Sequence, residues 1–260
     1  MQNQEQTTTT PDAPRIEVAV ATLAGERALN ADAHLVDQAA GFFAVADGMQ
    51  DRPRSREVAL AALRAVDETL QAPWVLLPHA ERTTEEAGER LMHGIARAHV
   101  QLFEPNAPPK ERIGTTFAGI VVCRGGRIVM AHVGSSRVYL LRRERRVLER
   151  LTDDHTLLAA SQLWGVPSGE TATGREARTL TQAIGATRKV DPSPAMASWE
   201  PGDIAMLCTD GVCAPVEPEE LGALLLCRAA LDDVARRLVQ RARALGGRDD
   251  ATAVLVRRMS

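Results

Sequence analysis

Apolar positions along the chain follow two periods. Alternation over 16–22 and short apolar runs at 34–36 and 42–46 predict three strands near the start. Farther on, runs at 117–123 and 127–133 flank Gly125 and Gly126, which predicts a hairpin. Runs at 137–141 and 147–151 flank the polar segment RRERR, and it reads as a solvated hairpin turn in which Glu144 dilutes the charge. Two more strands are predicted at 204–208, after the turn Pro201-Gly202, and at 251–256. Helical spacing dominates elsewhere. Ser55 reads as an N-cap before the stripe Val58, Ala62, Leu63, Val66 and Leu70. Thr83 and Glu86 form a capping box ahead of Leu91, Ile95, Ala98 and Leu102, and prolines from Pro105 to Pro109 end that helix. Segments 218–226 and 232–245 also read as helices. The connection 73–82 carries no signal. Strands joined by tight turns, with helices inserted in pairs, predict an α+β protein of antiparallel sheets covered by helices, not a βαβ fold.

The same pattern sets the expected domain limits. Residues 1–14 are polar, with four consecutive threonines and two prolines, and read as a disordered leader. Residues 15–260 show no internal repeat and no linker, so a single domain is expected. Within it, 161–178 is rich in Gly, Ser and Thr with weak periodicity and reads as a mobile surface flap.

Three apolar runs stop abruptly at acids. The run 42–46 ends in Asp47-Gly48, 204–208 leads to Asp210-Gly211, and Asp249-Asp250 precedes 251–256. Singly, an Asp-Gly pair reads as a turn. Three strands that each deliver a carboxylate to one end make a different case, since converging carboxylates repel unless a cation or proton joins them. The donor set is all oxygen, which suits Mg²⁺ or Mn²⁺.

Composition narrows the classes further. Apolar residues at 45% and charged residues at 25% are ordinary for a globular chain. A net charge of −3 gives no electrostatic case for nucleic acid or an anionic membrane. Cys123, Cys208, Cys213 and Cys227 include no C-x-x-C pair, and two lie in apolar runs, so buried free thiols in a reducing compartment are expected. No apolar run approaches the roughly 18 residues that span a bilayer. The N-terminus lacks the basic start and apolar core of a secretory signal, which leaves the cytoplasm as the expected location.

Seven motifs then occur in order: Arg27-x-x-Asn30-x-Asp32; Val45-Ala46-Asp47-Gly48-Met49; Gly114-Thr115-Thr116; His132-Val133-Gly134-x-Ser136-Arg137-x-Tyr139; Leu151-Thr152-x-Asp154-His155; Pro201-Gly202-Asp203 with Cys208-Thr209-Asp210-Gly211; and Asp249-Asp250-x-Thr252. Over about residues 15–257 the chain resembles the metal-dependent Ser/Thr protein phosphatases of the PPM (type 2C) family, in their small bacterial form. That resemblance implies a four-layer αββα sandwich with two Mn²⁺ or Mg²⁺ ions at one end of the sheets. Carried over by motif, Asp47 bridges both ions and Asp210 and Asp249 hold one. The Gly48 carbonyl helps hold the other, Asp32 stands beside it directly or through water, and Arg27 grips the substrate phosphate. A metal-activated water then hydrolyses phosphoserine or phosphothreonine, and neither Ser136 nor Cys208 is needed as nucleophile.

Departures from the family pattern are as informative. Ala31 stands where the family has an acid or amide. Gln50-Asp51 replaces a Gly-Gly beside the site. Gly134-Ser135-Ser136-Arg137 lacks the aspartate associated with a third, weaker ion, so that third site is expected to be weak or absent. These changes motivate the rival reading, a pseudophosphatase or weakly active phosphoprotein-binding module on the same fold. A third possibility, a two-metal nuclease, fits the negative charge poorly. His132 reads as a hydrogen-bonded core residue and His155 as a cap near a helix start, and neither joins the site. Expected partners are phosphorylated protein substrates, a Ser/Thr kinase or its targets, with the chain acting as a monomer.

Overall fold

The computed structural model describes residues 14–27, 29–49, 53–71, 73–78, 81–104, 107–108, 111–166, 174–192 and 194–259. Its elements run β1 (Ile16–Leu23), β2 (Asp32–Asp37), β3 (Phe42–Asp47), α1 (Ser55–Gln71), α2 (Thr84–Leu102), β4 (Phe117–Cys123), β5 (Arg127–Val133), β6 (Arg137–Arg142) and β7 (Val147–Arg150). Then follow α3 (Leu157–Leu163), α4 (Gly174–Ala177), β8 (Ala195–Ser198), β9 (Ile204–Cys208), α5 (Asp210–Cys213), α6 (Pro218–Leu225), α7 (Leu231–Ala244) and β10 (Ala251–Arg258). Two five-stranded antiparallel sheets result, ordered β1-β10-β9-β6-β7 and β2-β3-β4-β5-β8.

Three apolar layers explain the strand sequences. Between the sheets lie Phe43, Val45, Ile120, Met130, Leu140, Leu207 and Val254. On the other face of β3 and β4, Phe42, Ala44 and Val121 pack under Leu63, Val66, Leu91 and Ile95 of α1 and α2. Across the molecule, Met206 and Leu255 pack under Leu221, Leu225, Val234 and Leu238 of α6 and α7. Strands such as β3 and β4 therefore have no wet face, which is why they read as continuous apolar runs and not as alternation. The expected αββα sandwich is the architecture observed.

Several local expectations hold. Thr83 caps α2 by accepting from the Glu86 N–H at 3.2 Å, while Glu86 turns its carboxylate to Arg90 at 2.8 Å instead of closing the box. Gly125 and Gly126 make the β4–β5 turn with φ of 66° and 64°, a region glycine enters without penalty. RRERR is a hairpin turn whose leading end is tied down, Arg142 by Glu149 and the Arg143 N–H by Asp203. Cys123, Cys208, Cys213 and Cys227 are free thiols.

Others need correction. Ser55 is the first residue of α1, not its N-cap, and its hydroxyl donates to the Met49 carbonyl at 2.8 Å. Of the expected flap, 161–163 is the end of α3 and 174–177 is α4, while 167–173 falls outside the described residues. The leader does so as well, up to residue 13. Trp74, in the connection that carried no signal, is fully buried, donates its indole N–H to the Ala40 carbonyl and lies under the Arg82 guanidinium. Among the described residues no helix is long and apolar enough to cross a membrane.

Candidate functional site

Antiparallel pairing sets Asp32, the first residue of β2, directly opposite Asp47, the last of β3. The other sheet brings Asp210, which opens α5 just after β9, and Asp249, just before β10. Four acids, two from each sheet, thus share one end of the sandwich.

Asp47 and Asp32 are held by their backbones. The Asp47 N–H donates to Thr116 Oγ1, and its carbonyl accepts from Thr115 Oγ1, all at 2.9 Å, so the Gly114-Thr115-Thr116 motif is a clamp on this one residue. Ser136 lies 2.7 Å from Thr116 Oγ1 and braces the clamp. Gly48 has no room for a side chain, because a Cβ there falls 2.3 Å from the Ser55 carbonyl oxygen. Thr209 Oγ1 donates to Asp32 Oδ2 at 2.8 Å and ties the two sheets across the site. Arg56 donates to the Asp32 carbonyl.

Electrostatics mark the cluster as strained by its own charge. Burial lifts the Asp32 carboxyl to about 7, opposed by hydrogen bonds from Thr252 and Thr209 and aided by the Asp210 and Asp250 charges. Burial, together with Asp32, Asp210 and Asp249, pushes Asp47 well above the usual carboxylate range. Asp210 rises to about 6, mainly by burial and then by Asp249. Among the described residues, Asp32 Oδ1, Asp47 Oδ1 and Asp210 Oδ1 are buried without any hydrogen-bond donor. Buried oxygens left unpaired are costly, and three in one place are what a hard cation satisfies. The side chains converge but do not close into a finished coordination sphere, since no described group of three or more His, Cys, Asp or Glu side chains does so.

Arg27 reaches the same place and pairs with Asp249 at 3.1 Å. Ser135 Oγ donates to Asp210 Oδ2 at 3.3 Å, so the residue that departs from the family pattern touches one of the expected metal ligands. Ala31 brings no side-chain oxygen to the site, and its backbone N–H is donated to Asp250. Gln50 and Asp51 lie outside the described residues. The histidines stay out of the cluster. His132 Nε2 contacts the Asp153 carbonyl, and the His155 ring lies against the His132 ring, tilted by 31° with centroids 4.4 Å apart, and accepts from the Gly134 N–H. Thr156, not His155, caps α3.

Asp250 is the residue whose task the sequence reading missed. It turns inward, only 1% exposed, and accepts from the N–H groups of Gly25 at 2.6 Å and Ala31 at 2.8 Å. It fastens the loop that carries Arg27 to the strand that carries Asp249. Its place in Asp249-Asp250-x-Thr252 was visible; its partners were not.

Known proteins resemble this chain in sequence and fold. The chain is 28% identical over 217 residues to the serine/threonine phosphatase stp of Listeria monocytogenes, covering 82% of this chain and 83% of that one. Its fold superposes on a Streptococcus agalactiae serine/threonine phosphatase with a TM-score of 0.81 at 23% identity, covering 94% and 100%. The catalytic domain of the phosphatase PstP, solved in complex with two manganese ions, superposes with a TM-score of 0.74 at 26% identity, covering 94% and 99%. The family model for protein phosphatase 2C matches residues 24–256, and over that span, with the site just described inside it, the chain belongs to the protein phosphatase 2C family.

Proposed function

We propose that this chain is a metal-dependent protein Ser/Thr phosphatase, with residues 15–260 acting as one catalytic domain. One observation carries the reading: three buried, donorless carboxylate oxygens of Asp32, Asp47 and Asp210 gather from both sheets beside the guanidinium of Arg27. In this reading Asp47, Asp210 and Asp249 would hold one Mn²⁺ or Mg²⁺ ion, and Asp47, Asp32 and the Gly48 carbonyl would serve a second. Bound there, the ions supply Lewis acidity that makes water nucleophilic near neutral pH and offsets charge on the phosphoryl group. Arg27 binds and orients the phosphate oxygens. Hydrolysis forms a bond from water oxygen to phosphorus and breaks the bond to the Ser or Thr oxygen, giving inorganic phosphate and the free hydroxyl. No side chain has to attack. Ser136 is occupied with Thr116 and Cys208 is sealed in the core.

The pseudophosphatase reading is weaker on the same ground, because a module that only binds has no use for three unsatisfied carboxylate oxygens. Ser135 engages Asp210 without adding a carboxylate, which agrees with two ions and a weak or absent third. The cellular setting we propose is a monomer in the cytoplasm, where free thiols persist, acting on phosphoproteins made by a Ser/Thr kinase.

The test is phosphate release from a phosphothreonine peptide across a Mn²⁺ titration, wild type beside Asp210→Asn. Activity should rise with Mn²⁺ and fall in the variant by about two orders of magnitude or more, the scale of losing one electrostatic contact to a transition state. A folded wild type with no activity at any Mn²⁺ concentration sinks the proposal.

A further inference from the structure

A cleft of about 340 Å³ is lined by Asp210 and Asp249, by Ala214, Pro215 and Leu245, and by two cations, Arg178 and Arg248. The two arginines come from different segments, and both stand on fixed backbone. Arg248 offers its carbonyl to the Glu26 N–H at 2.9 Å, and Gly25 packs so tightly there that a Cβ would come within 2.5 Å of that carbonyl oxygen. Arg178 is followed by Thr179, whose carbonyl accepts from the Leu157 N–H at 2.9 Å, and by Leu180, which bridges to Thr156. Both side chains are exposed, and the only charged contact Arg248 makes among the described residues is a long one to Glu26 at 3.6 Å, itself open to solvent. Such a pair contributes little and gives way readily.

Resting on the phosphatase reading, we propose that Arg178 and Arg248 set substrate preference, by receiving an acidic side chain that flanks the phosphorylated residue. With the phosphate at Arg27 and the acids Asp210 and Asp249, the adjoining peptide lies over the apolar floor of Leu245 and Pro215. Its neighbouring side chains then come to the arginines. Guanidinium suits a carboxylate or second phosphate because its fork donates two parallel hydrogen bonds. The whole chain is net negative at −3, so attraction of an acidic substrate has to be local, and in this cleft two exposed arginines adjoin Asp210 and Asp249.

The experiment compares kcat/KM for two phosphothreonine peptides, identical except for Glu or Lys at the positions flanking the phosphothreonine, with p-nitrophenyl phosphate as a small substrate. Wild type should favour the Glu peptide about three- to tenfold at low salt, the range expected of two exposed ion pairs, and the preference should shrink at high salt. Arg178→Glu and Arg248→Glu should reduce or invert the ratio, Arg248→Lys should keep most of it, and Glu26→Gln should raise it. Equal rates on both peptides overturn the inference, as does a preference that survives both charge reversals in variants whose melting curves match wild type. A wild type that turns over p-nitrophenyl phosphate yet ignores peptide charge overturns this inference alone. One inactive on every substrate with Mn²⁺ overturns the phosphatase reading and this inference with it.

Discussion

Asp32 is buried with one oxygen unsatisfied, and burial holds its carboxyl at about 7 in place of 3.8. Between those values the native chain keeps a proton that the unfolded chain has released. The group's contribution to stability is therefore full below pH 3.8 and lost as pH rises through 7, where a bare charge is buried. In chelator, Asp32→Asn should melt higher than wild type at pH 8, by about 4 kcal/mol at most from three pKa units, and the gap should close toward pH 4. The Asn oxygen can still accept from Thr209. Mn²⁺ should reverse the order. A variant that melts below wild type in chelator at pH 8 would refute this account. Such a residue trades stability for function, as sites built around unsatisfied groups do.

At the scale of elements, the loop between β1 and β2 hangs on Asp250. Asp250→Ala removes the acceptor for two N–H groups and should cost about 1–3 kcal/mol of stability. It should also weaken Mn²⁺ binding about 10–100-fold, as loss of a ligand-supporting contact does. Asp250→Asn keeps one acceptor and should lie between. Titration calorimetry reads the affinity, and an unchanged affinity in Asp250→Ala would show that the loop is held some other way. This clamp also shows where sequence reading stops. Strands buried on both faces announce themselves as apolar runs, and the carboxylates at their ends stand out because the runs stop at a charge. Asp47, Asp210 and Asp249 were legible for that reason. The bond from Ala31 to Asp250 joins residues 219 apart, and nothing local encodes it. The four residues of α5 are too few to show a period, and β8 carries only the mixed tetrapeptide AMAS. Trp74 lay in a segment without periodicity, and its indole N–H finds its acceptor on Ala40, 34 residues earlier in the chain.

For the whole molecule, the acids come in pairs from opposite sheets, so any ion they share joins the two halves of the sandwich. Mn²⁺ at about a hundredfold above its Kd should add about 2.7 kcal/mol, which corresponds to roughly 5–10 °C in Tm for a chain of this size. Scanning calorimetry with Mn²⁺ and with chelator measures the shift, and Asp210→Asn should abolish most of it. No shift in wild type would contradict a cross-sheet site. One more property follows from the strand order. β10 lies between β1 and β9, inside its sheet, and Thr22 faces Thr252 across 230 residues of chain. During translation β1 emerges early and has no partner until residues 251–258 clear the ribosome. Asp249 arrives at the same late moment. A chain that stops short of residue 251 therefore lacks the middle of a sheet, not its edge, and leaves β1 without the strand it pairs with.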